Sequence, residues 1–326
     1  MTVLITGIAG FVGGHLVDLL RAEHPEEGIA GVVRPGTPTP DPLREGVRLL
    51  EADLEDAAAV ESAVAAVRPD SIIHLAGQSS VHESWSNPAA TIRTNVIGLL
   101  NVFEAVRRRR LEPRVLVVGS AEEYGSVEPD APPLTEDAPL RPLSPYAVSK
   151  VAQDYLGYQY FQSYGLKAVR TRGFNHTGPR RGQVFVTSNF CSQVAAIELG
   201  LQEPVIRVGN IDAIRDFTDV RDMVRAYWLA VTKAKPGEVY NIATGHGISI
   251  RDMLNLVLSN SKVEVKIEVD PERLRPSDVE ILIGDSTKFR ADTGWEPRIP
   301  FEQTVSDLLD YWRRTLTVRK QVHGTA

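Results

Sequence analysis

The stretch Thr2-Val3-Leu4-Ile5-Thr6-Gly7-Ile8-Ala9-Gly10-Phe11-Val12-Gly13-Gly14-His15-Leu16 decides the fold. Val3-Leu4-Ile5 is a short aliphatic run of strand type, and Val12, Leu16, Leu19 and Leu20 then recur at helical spacing. Between them Gly7, Gly10 and Gly13 form a G-x-x-G-x-x-G turn. Missing side chains let a backbone approach a pyrophosphate, and the helix start adds N–H donors and a positive dipole end. Three glycines alone suit any tight strand-to-helix turn. Their place between the first strand and first helix of an alternating pattern predicts dinucleotide binding.

Outward from this unit the alternation continues. Strands are predicted at Ile29 to Val33, Val47 to Glu51, Ser71 to Leu75 and Arg114 to Val118, with helices at Ala57 to Val67 and Ala89 to Arg109. Such alternation argues for an α/β fold, a doubly wound parallel sheet covered on both faces. The run Arg107 to Arg110 reads as a solvated last helical turn, where cations favour the negative end of the dipole. After about Asn175 the pattern loosens into loops around Gly178 to Gly182 and Pro271 to Pro276, which points to a smaller second lobe. The last dozen residues are expected to be partly disordered.

The second strand ends Val32-Val33-Arg34. A carboxylate here would accept bonds from a free ribose hydroxyl and repel a 2′-phosphate, but none occurs before Asp41. Arg34 is placed to pair with a phosphate, so NADP(H) is expected over NAD(H), against the plainer alternative of a loop arginine facing water. Asp53, after the third strand, is placed to bond an adenine amino group, although a surface-turn aspartate would look the same.

Composition narrows the classes. Hydrophobic residues make up 43% and charged residues 24% of the 326, near the globular average. A net charge of −6 offers no general basic field, so nucleic acid is not an expected partner. Cys191 is the only cysteine and reads as a free buried thiol in a reducing compartment. No secretion signal or membrane-length apolar run is seen, and a soluble, cytoplasmic chain is expected. The seven histidines show no close ligand cluster, so no metal site is expected.

Tyr146 and Lys150, in Tyr-Ala-Val-Ser-Lys, lie four residues apart, which on a helix places both on one face. A neighbouring ammonium is expected to lower the phenol's pKa and fit it for proton transfer. At the end of the fifth strand comes Gly119-Ser120-Ala121-Glu122-Glu123-Tyr124-Gly125, where such sheets place their chemistry. Ser120 can bond a substrate hydroxyl or carbonyl. Glu122 can serve as a base or bind a hydroxyl, and Glu123 is expected to face outward or make a structural bond. His176 reads as a loop residue near the nucleotide.

The glycine turn, His74-Leu75-Ala76-Gly77-Gln78-Ser79, Asn95, Ser120 and Tyr146 with Lys150 resemble the extended short-chain dehydrogenases/reductases over nearly the whole chain. More narrowly, Gly119 to Gly125, Phe174-Asn175-His176-Thr177-Gly178-Pro179, Arg215-Asp216-Phe217-Thr218-Asp219-Val220-Arg221-Asp222 and Arg275-Pro276-Ser277-Asp278-Val279 resemble GDP-4-keto-6-deoxy-mannose reductases and the related GDP-mannose 4,6-dehydratases. Arg180-Arg181-Gly182 and Phe185-Val186-Thr187 look more like the dehydratases. Ala121 stands where both groups commonly carry serine, and dTDP-sugar dehydratases an aspartate acid.

The resemblance implies a Rossmann-like sheet with a smaller C-terminal α/β substrate-binding lobe. Residues 1–174 with 211–243 would bind NADP, and residues 175–210 with 244–326 the nucleotide sugar. Ser120, Glu122, Tyr146 and Lys150 would be catalytic. The cofactor would meet Gly7, Gly10, Phe11, Val12, Gly13 and Arg34, then Asp53, Leu54, Leu75, Ala76, Gln78 and Asn95, together with Tyr146 and Lys150. A GDP-linked hexose would meet Ser79, Glu122, Asn175, Val186, Arg215 and Arg275. The expected reaction is NADPH-dependent reduction at C4 of a 4-keto-6-deoxy sugar, with 4,6-dehydration on bound NADP+ as the alternative and a non-catalytic nucleotide sensor as a third reading. The helices Ala89 to Arg109 and Ala147 to Tyr164 would pair in a homodimer or homotetramer, although core packing accounts for their apolar positions equally well.

Overall fold

The computed structural model describes residues 1–39, 43, 45–128, 130–270 and 279–323; Arg275 and the loop Pro271 to Pro276 lie outside the described residues. Strands β1 (Thr2–Thr6), β2 (Gly28–Val33), β3 (Val47–Glu51), β4 (Ser71–His74), β5 (Arg114–Ser120), β6 (Lys167–Gly173) and β10 (Val239–Ile242) form one seven-stranded sheet. Its order is β10-β6-β5-β4-β1-β2-β3 and every pairing is parallel. The order reverses between β1 and β4, and the crevice at the carboxyl ends of these strands is where such sheets bind ligands.

Period-two alternation distributes the core. Val3 and Ile5 face one layer with Ile73 and Leu116, where helices α1 (Phe11–Glu23) and α8 (Val220–Thr232) supply Leu16, Leu20, Tyr227 and Val231. Leu4, Ile72, Val115 and Val117 face the other, against α2 (Ala57–Val67) and α5 (Gly98–Arg108) through Val60, Val64, Val102 and Phe103. The long helix α6 (Pro145–Tyr164) crosses this second face, started by a Ser144 cap and ended by Gly165 at φ 70°.

The helix predicted at Ala89 to Arg109 is interrupted. Pro88–Ile92 (α4) and α5 are joined by a π-helical turn, Arg93–Ile97, which carries Asn95 to the interior. The arginine run behaves as a solvated end: Arg107 pairs with Glu104, Arg108 with Glu61 and Glu104, and Arg109 with Glu61.

The second lobe is built on β9 (Ile214–Asp219), which pairs with β7 (Asn175–Thr177), β11 (Gly247–Ser249) and β13 (Ile281–Leu282). A separate pair, β8 (Val205–Val208) with β12 (Lys266–Val269), flanks it. Helices α7 (Val186–Glu198), α9 (Ile250–Ser259) and α11 (Phe301–His323) close its core around Phe190, Met253, Leu308 and Trp312. Of the last dozen residues, expected to be partly disordered, those as far as His323 continue α11, and Lys320 Nζ bonds Leu199 O at 2.9 Å.

Trp295 ties the C-terminal third back to the first lobe. Buried with Phe289 in the first core, it donates Nε1–H to Asp222 O at 3.0 Å. Replacing it with alanine removes that packing and bond together. Trp295→Ala is expected to cost about 3–5 kcal/mol of unfolding free energy, measured by urea denaturation.

Candidate active site

A cleft of about 890 Å³ opens at the switch point, between the carboxyl edge of the main sheet and the second lobe. The glycine turn forms its floor. Gly7 sits at φ 70°, and a β-carbon there would lie 2.8 Å from the Ala76 backbone. One on Gly13 would lie 2.4 Å from Ile8 O, so the turn closes only without side chains. Gly10 begins α1 with no side-chain cap, leaving first-turn N–H groups available to an anion.

Of the candidate residues, Gly7, Gly10, Phe11, Val12, Gly13, Leu75, Gln78 and Ser79 line this cleft, and so do Ser120, Glu122, Tyr146, Lys150, Asn175, Val186 and Arg215. Ala76 supports the floor through its N–H to Thr6 Oγ1 at 3.2 Å. Asn95 is fully buried: Oδ1 accepts Gln78 N–H at 2.8 Å, and Nδ2 donates to Gln78 O at 3.1 Å and Ser149 Oγ at 2.8 Å. It thus fixes the backbone of a lining residue without lining the cleft itself. Arg34 is exposed just beyond β2, and Asp53 Oδ1 accepts Glu55 N–H at 3.0 Å. Leu54 packs into the second-face core. None of these three lines the cleft.

Ser120 ends β5, while Tyr146 and Lys150 project from the first turns of α6. Lys150 Nζ donates to Val118 O at 2.8 Å and lies 5.9 Å from the centre of the Tyr146 ring. Tyr146 interacts with the Ser120 side chain. The expected lowering of the phenol by its lysine is corrected. Burial pushes Tyr146 up to about 12, with Ser120 opposing and the Glu122 and Glu123 charges adding to the rise. Burial likewise brings Lys150 down to about 8, opposed by Glu123. The arrangement therefore holds a protonated phenol, an acid, at the edge of the cleft.

Of the two expectations for Glu123 the structural bond holds: it is fully buried and accepts Ser120 N–H at 2.7 Å. Two further features were not legible as expected. His176 lies in strand β7, its ring stacked on Phe11 at 6.3 Å, where burial lowers it to about 4. Arg181 lines the cleft with its guanidinium 3.3 Å from the centre of Phe185 and 4.8 Å from that of Phe11. Its Nε is buried without a hydrogen-bond partner, and burial lowers the group to about 10. The signal for Arg181 was present in Arg180-Arg181-Gly182, which was read as a likeness to the dehydratases without a site role for either arginine. Among the described residues no cluster of His, Cys, Asp or Glu could hold a metal ion, and no helix is long and apolar enough to cross a membrane.

A doubly wound parallel sheet whose glycine turn and Ser–Tyr–Lys set face one cleft defines an extended short-chain dehydrogenase/reductase. The family model described as GDP-mannose 4,6 dehydratase matches residues 4–308, and the chain belongs to that family. It is 35% identical to the GDP-6-deoxy-D-mannose reductase of Pseudomonas aeruginosa over 94% of this chain and 96% of the relative. It is 33% identical to GDP-mannose 4,6 dehydratase 2 of Arabidopsis thaliana over 94% and 85%. Among solved structures it resembles RMD from Pseudomonas aeruginosa complexed with NADPH, at TM-score 0.84 and 32% identity over 96% of this chain and 99% of that one. A Thermus thermophilus UDP-glucose 4-epimerase with NAD aligns at TM-score 0.86 and 31% identity, over 96% and 99%.

Burial at the floor generates a pH dependence. His74, with Nδ1 3.0 Å from Thr6 Oγ1, is lowered to about 3 by desolvation and by Lys150. A group whose folded pKa lies below its unfolded value of about 6.5 gives stability that is present above 6.5 and lost as pH falls. Urea midpoints are expected to drop between about pH 6.5 and 4, and His74→Asn to lessen the loss by roughly 1.4 kcal/mol per pH unit.

Proposed function

We propose that the protein reduces the C4 ketone of GDP-4-keto-6-deoxy-D-mannose with NADPH, forming GDP-D-rhamnose. The observation that carries this reading is the Tyr146 phenol placed with Ser120 and Lys150 on the cleft at the carboxyl edge of β5, in a chain related along its length to a GDP-6-deoxy-D-mannose reductase. Ketone reduction needs an acid in that position. The glycine turn fits a dinucleotide, because a β-carbon at Gly7 or Gly13 would collide with the backbone that closes the cradle. NADPH, when bound, supplies the hydride that goes to C4.

The chain's own residues would supply the rest. The uncapped start of α1 takes the pyrophosphate, and Lys150 takes the nicotinamide ribose. Ser120 holds the ketone oxygen, and Tyr146 gives it a proton as C4 is reduced. Asn95 keeps Gln78 in place below. Arg34 would favour a 2′-phosphate, while Asp53 and Leu54 would flank the adenine. Ser79, Asn175, Val186, Arg215 and Arg275 would meet the GDP-sugar, with Arg181 adding a cation suited to a ligand phosphate. Strand β9 falls within 211–243, the stretch expected to bind the cofactor, but belongs to the second sheet; in this reading residues 1–174 with 220–243 hold the cofactor and 175–219 with 244–326 the sugar nucleotide, β9 contributing Arg215. Exposed Val148, Tyr155 and Tyr158 on α6 support a homodimer or homotetramer. A soluble cytoplasmic enzyme fits this chemistry.

Glu122 favours a second reading. It lines the cleft two residues after Ser120, where a carboxylate could take the C5 proton of an oxidised GDP-mannose and so run 4,6-dehydration with NADP+. Cofactor balance separates the two. The protein is expected to oxidise NADPH with the 4-keto-6-deoxy sugar nucleotide and to leave GDP-mannose unchanged without reductant; the converse pair of results defeats the reductase reading.

Tyr146→Phe is expected to lower kcat by roughly 10²- to 10⁴-fold while NADPH binding, followed by fluorescence, persists. Turnover is expected to fall as pH rises through about 8, where the Lys150 ammonium is lost. Lys150→Met should show a low rate without that limb.

A further inference from the structure

Behind the reacting edge of β5 lies a carboxylate that the proposed chemistry does not use. Glu123 is fully buried, and the structure seats it with care. A β-carbon on Gly119 would fall 2.4 Å from Glu123 Oε1 and 2.6 Å from Thr171 O, so the bare glycine makes room for the carboxylate. Oε1 accepts the Ser120 N–H at 2.7 Å. Oε2 lies 3.3 Å from Nε of Arg172, which stands opposite Gly119 in the β5–β6 register.

The charged groups around it come from every neighbouring element. From α6, Asp154 shares Arg172 at 2.8 Å and also pairs with Arg170. Tyr124, just after the turn, accepts from Arg172 at 3.1 Å. A Glu123 charge would raise both Lys150, one turn before Asp154, and Tyr146. From β4, His74 is the remaining titratable group that senses Lys150, and its burial keeps it neutral.

We infer that Glu123 is a positioning residue: its side chain, seated against the bare Gly119, clamps the backbone of Ser120 at the reacting end of β5. Oε1 meets its donor in the Ser120 N–H, while Oε2 is buried beside Arg172 without a hydrogen bond. Desolvation and Asp154 push its pKa well up, toward the uncharged form, and Arg172 opposes them; the clamp needs only the accepting oxygen, which either form supplies. The catalytic use of this clamp rests on the reductase reading; the clamp itself does not.

Three variants test the clamp. Glu123→Gln keeps an oxygen for Ser120, Glu123→Asp keeps the carboxyl group but shortens the reach, and Glu123→Ala removes the acceptor. NADPH affinity by fluorescence and kcat and KM for the ketone are followed, with deuterium exchange of the 114–120 backbone read by mass spectrometry. In Glu123→Gln exchange is expected to stay slow. In Glu123→Ala exchange rises and kcat falls by about ten- to a hundred-fold with KM little changed. If Glu123→Ala does not fold, Glu123→Asp carries that arm, with faster exchange. Unchanged exchange in both Glu123→Asp and Glu123→Ala overturns the clamp. A protein that shows the exchange changes yet never oxidises NADPH with the ketone defeats the reductase reading and leaves the inference standing.

Discussion

The bond from the Lys150 ammonium to the Val118 carbonyl, 2.8 Å, fixes the chemistry of this molecule. It pins the start of α6 across the carboxyl end of β5. One turn earlier on the same helix, Tyr146 is then brought to Ser120, the last residue of the strand. Everything around the cleft serves that docking: the Ser144 cap starts the helix, Asn95 reaches Ser149 from the π-helical turn, and Gln153 Nε2 bonds Asn95 O at 2.7 Å. A helix shifted by a single residue would present Ala147 in place of the phenol.

Burial decides the protonation states at this junction. A lysine one turn away is an obvious reason to expect a lowered phenol pKa, but the ammonium is spent on a backbone carbonyl and the phenol is desolvated. Desolvation wins, and it acts in opposite directions on the two groups, raising the tyrosine and lowering the lysine. At neutral pH the phenol therefore keeps its proton, a weaker acid than a free tyrosine that gives it up only as negative charge develops on the ketone oxygen.

The first five strands were legible to within two residues at each end because their aliphatic runs alternate with amphipathic helices. Strand β6 was not, since Lys167-Ala168-Val169-Arg170-Thr171-Arg172-Gly173 reads as polar. Only the tertiary fold reveals that Arg170 and Arg172 are buried against Asp154, far along the chain. A structural bond was one expectation for Glu123, but its partners, a backbone N–H and an arginine from another strand, were not legible for the same reason. The helix from Ala89 was read as continuous because a π-helical turn leaves no mark in apolar periodicity. By contrast Gly7, Ser120, Tyr146 and Lys150 were found because each requirement is local: a bare backbone, a strand end, one turn of helix. That they share a cleft is a property of the parallel sheet, which delivers all its strand ends to one edge.

The most direct measurement follows the hydrogen. With NADPH deuterated at the transferring position of the nicotinamide and GDP-4-keto-6-deoxy-D-mannose as substrate, one deuteron should appear at C4 of the released sugar, as read by NMR. A product lacking deuterium at C4, or cofactor that keeps its label through complete conversion, would contradict the account.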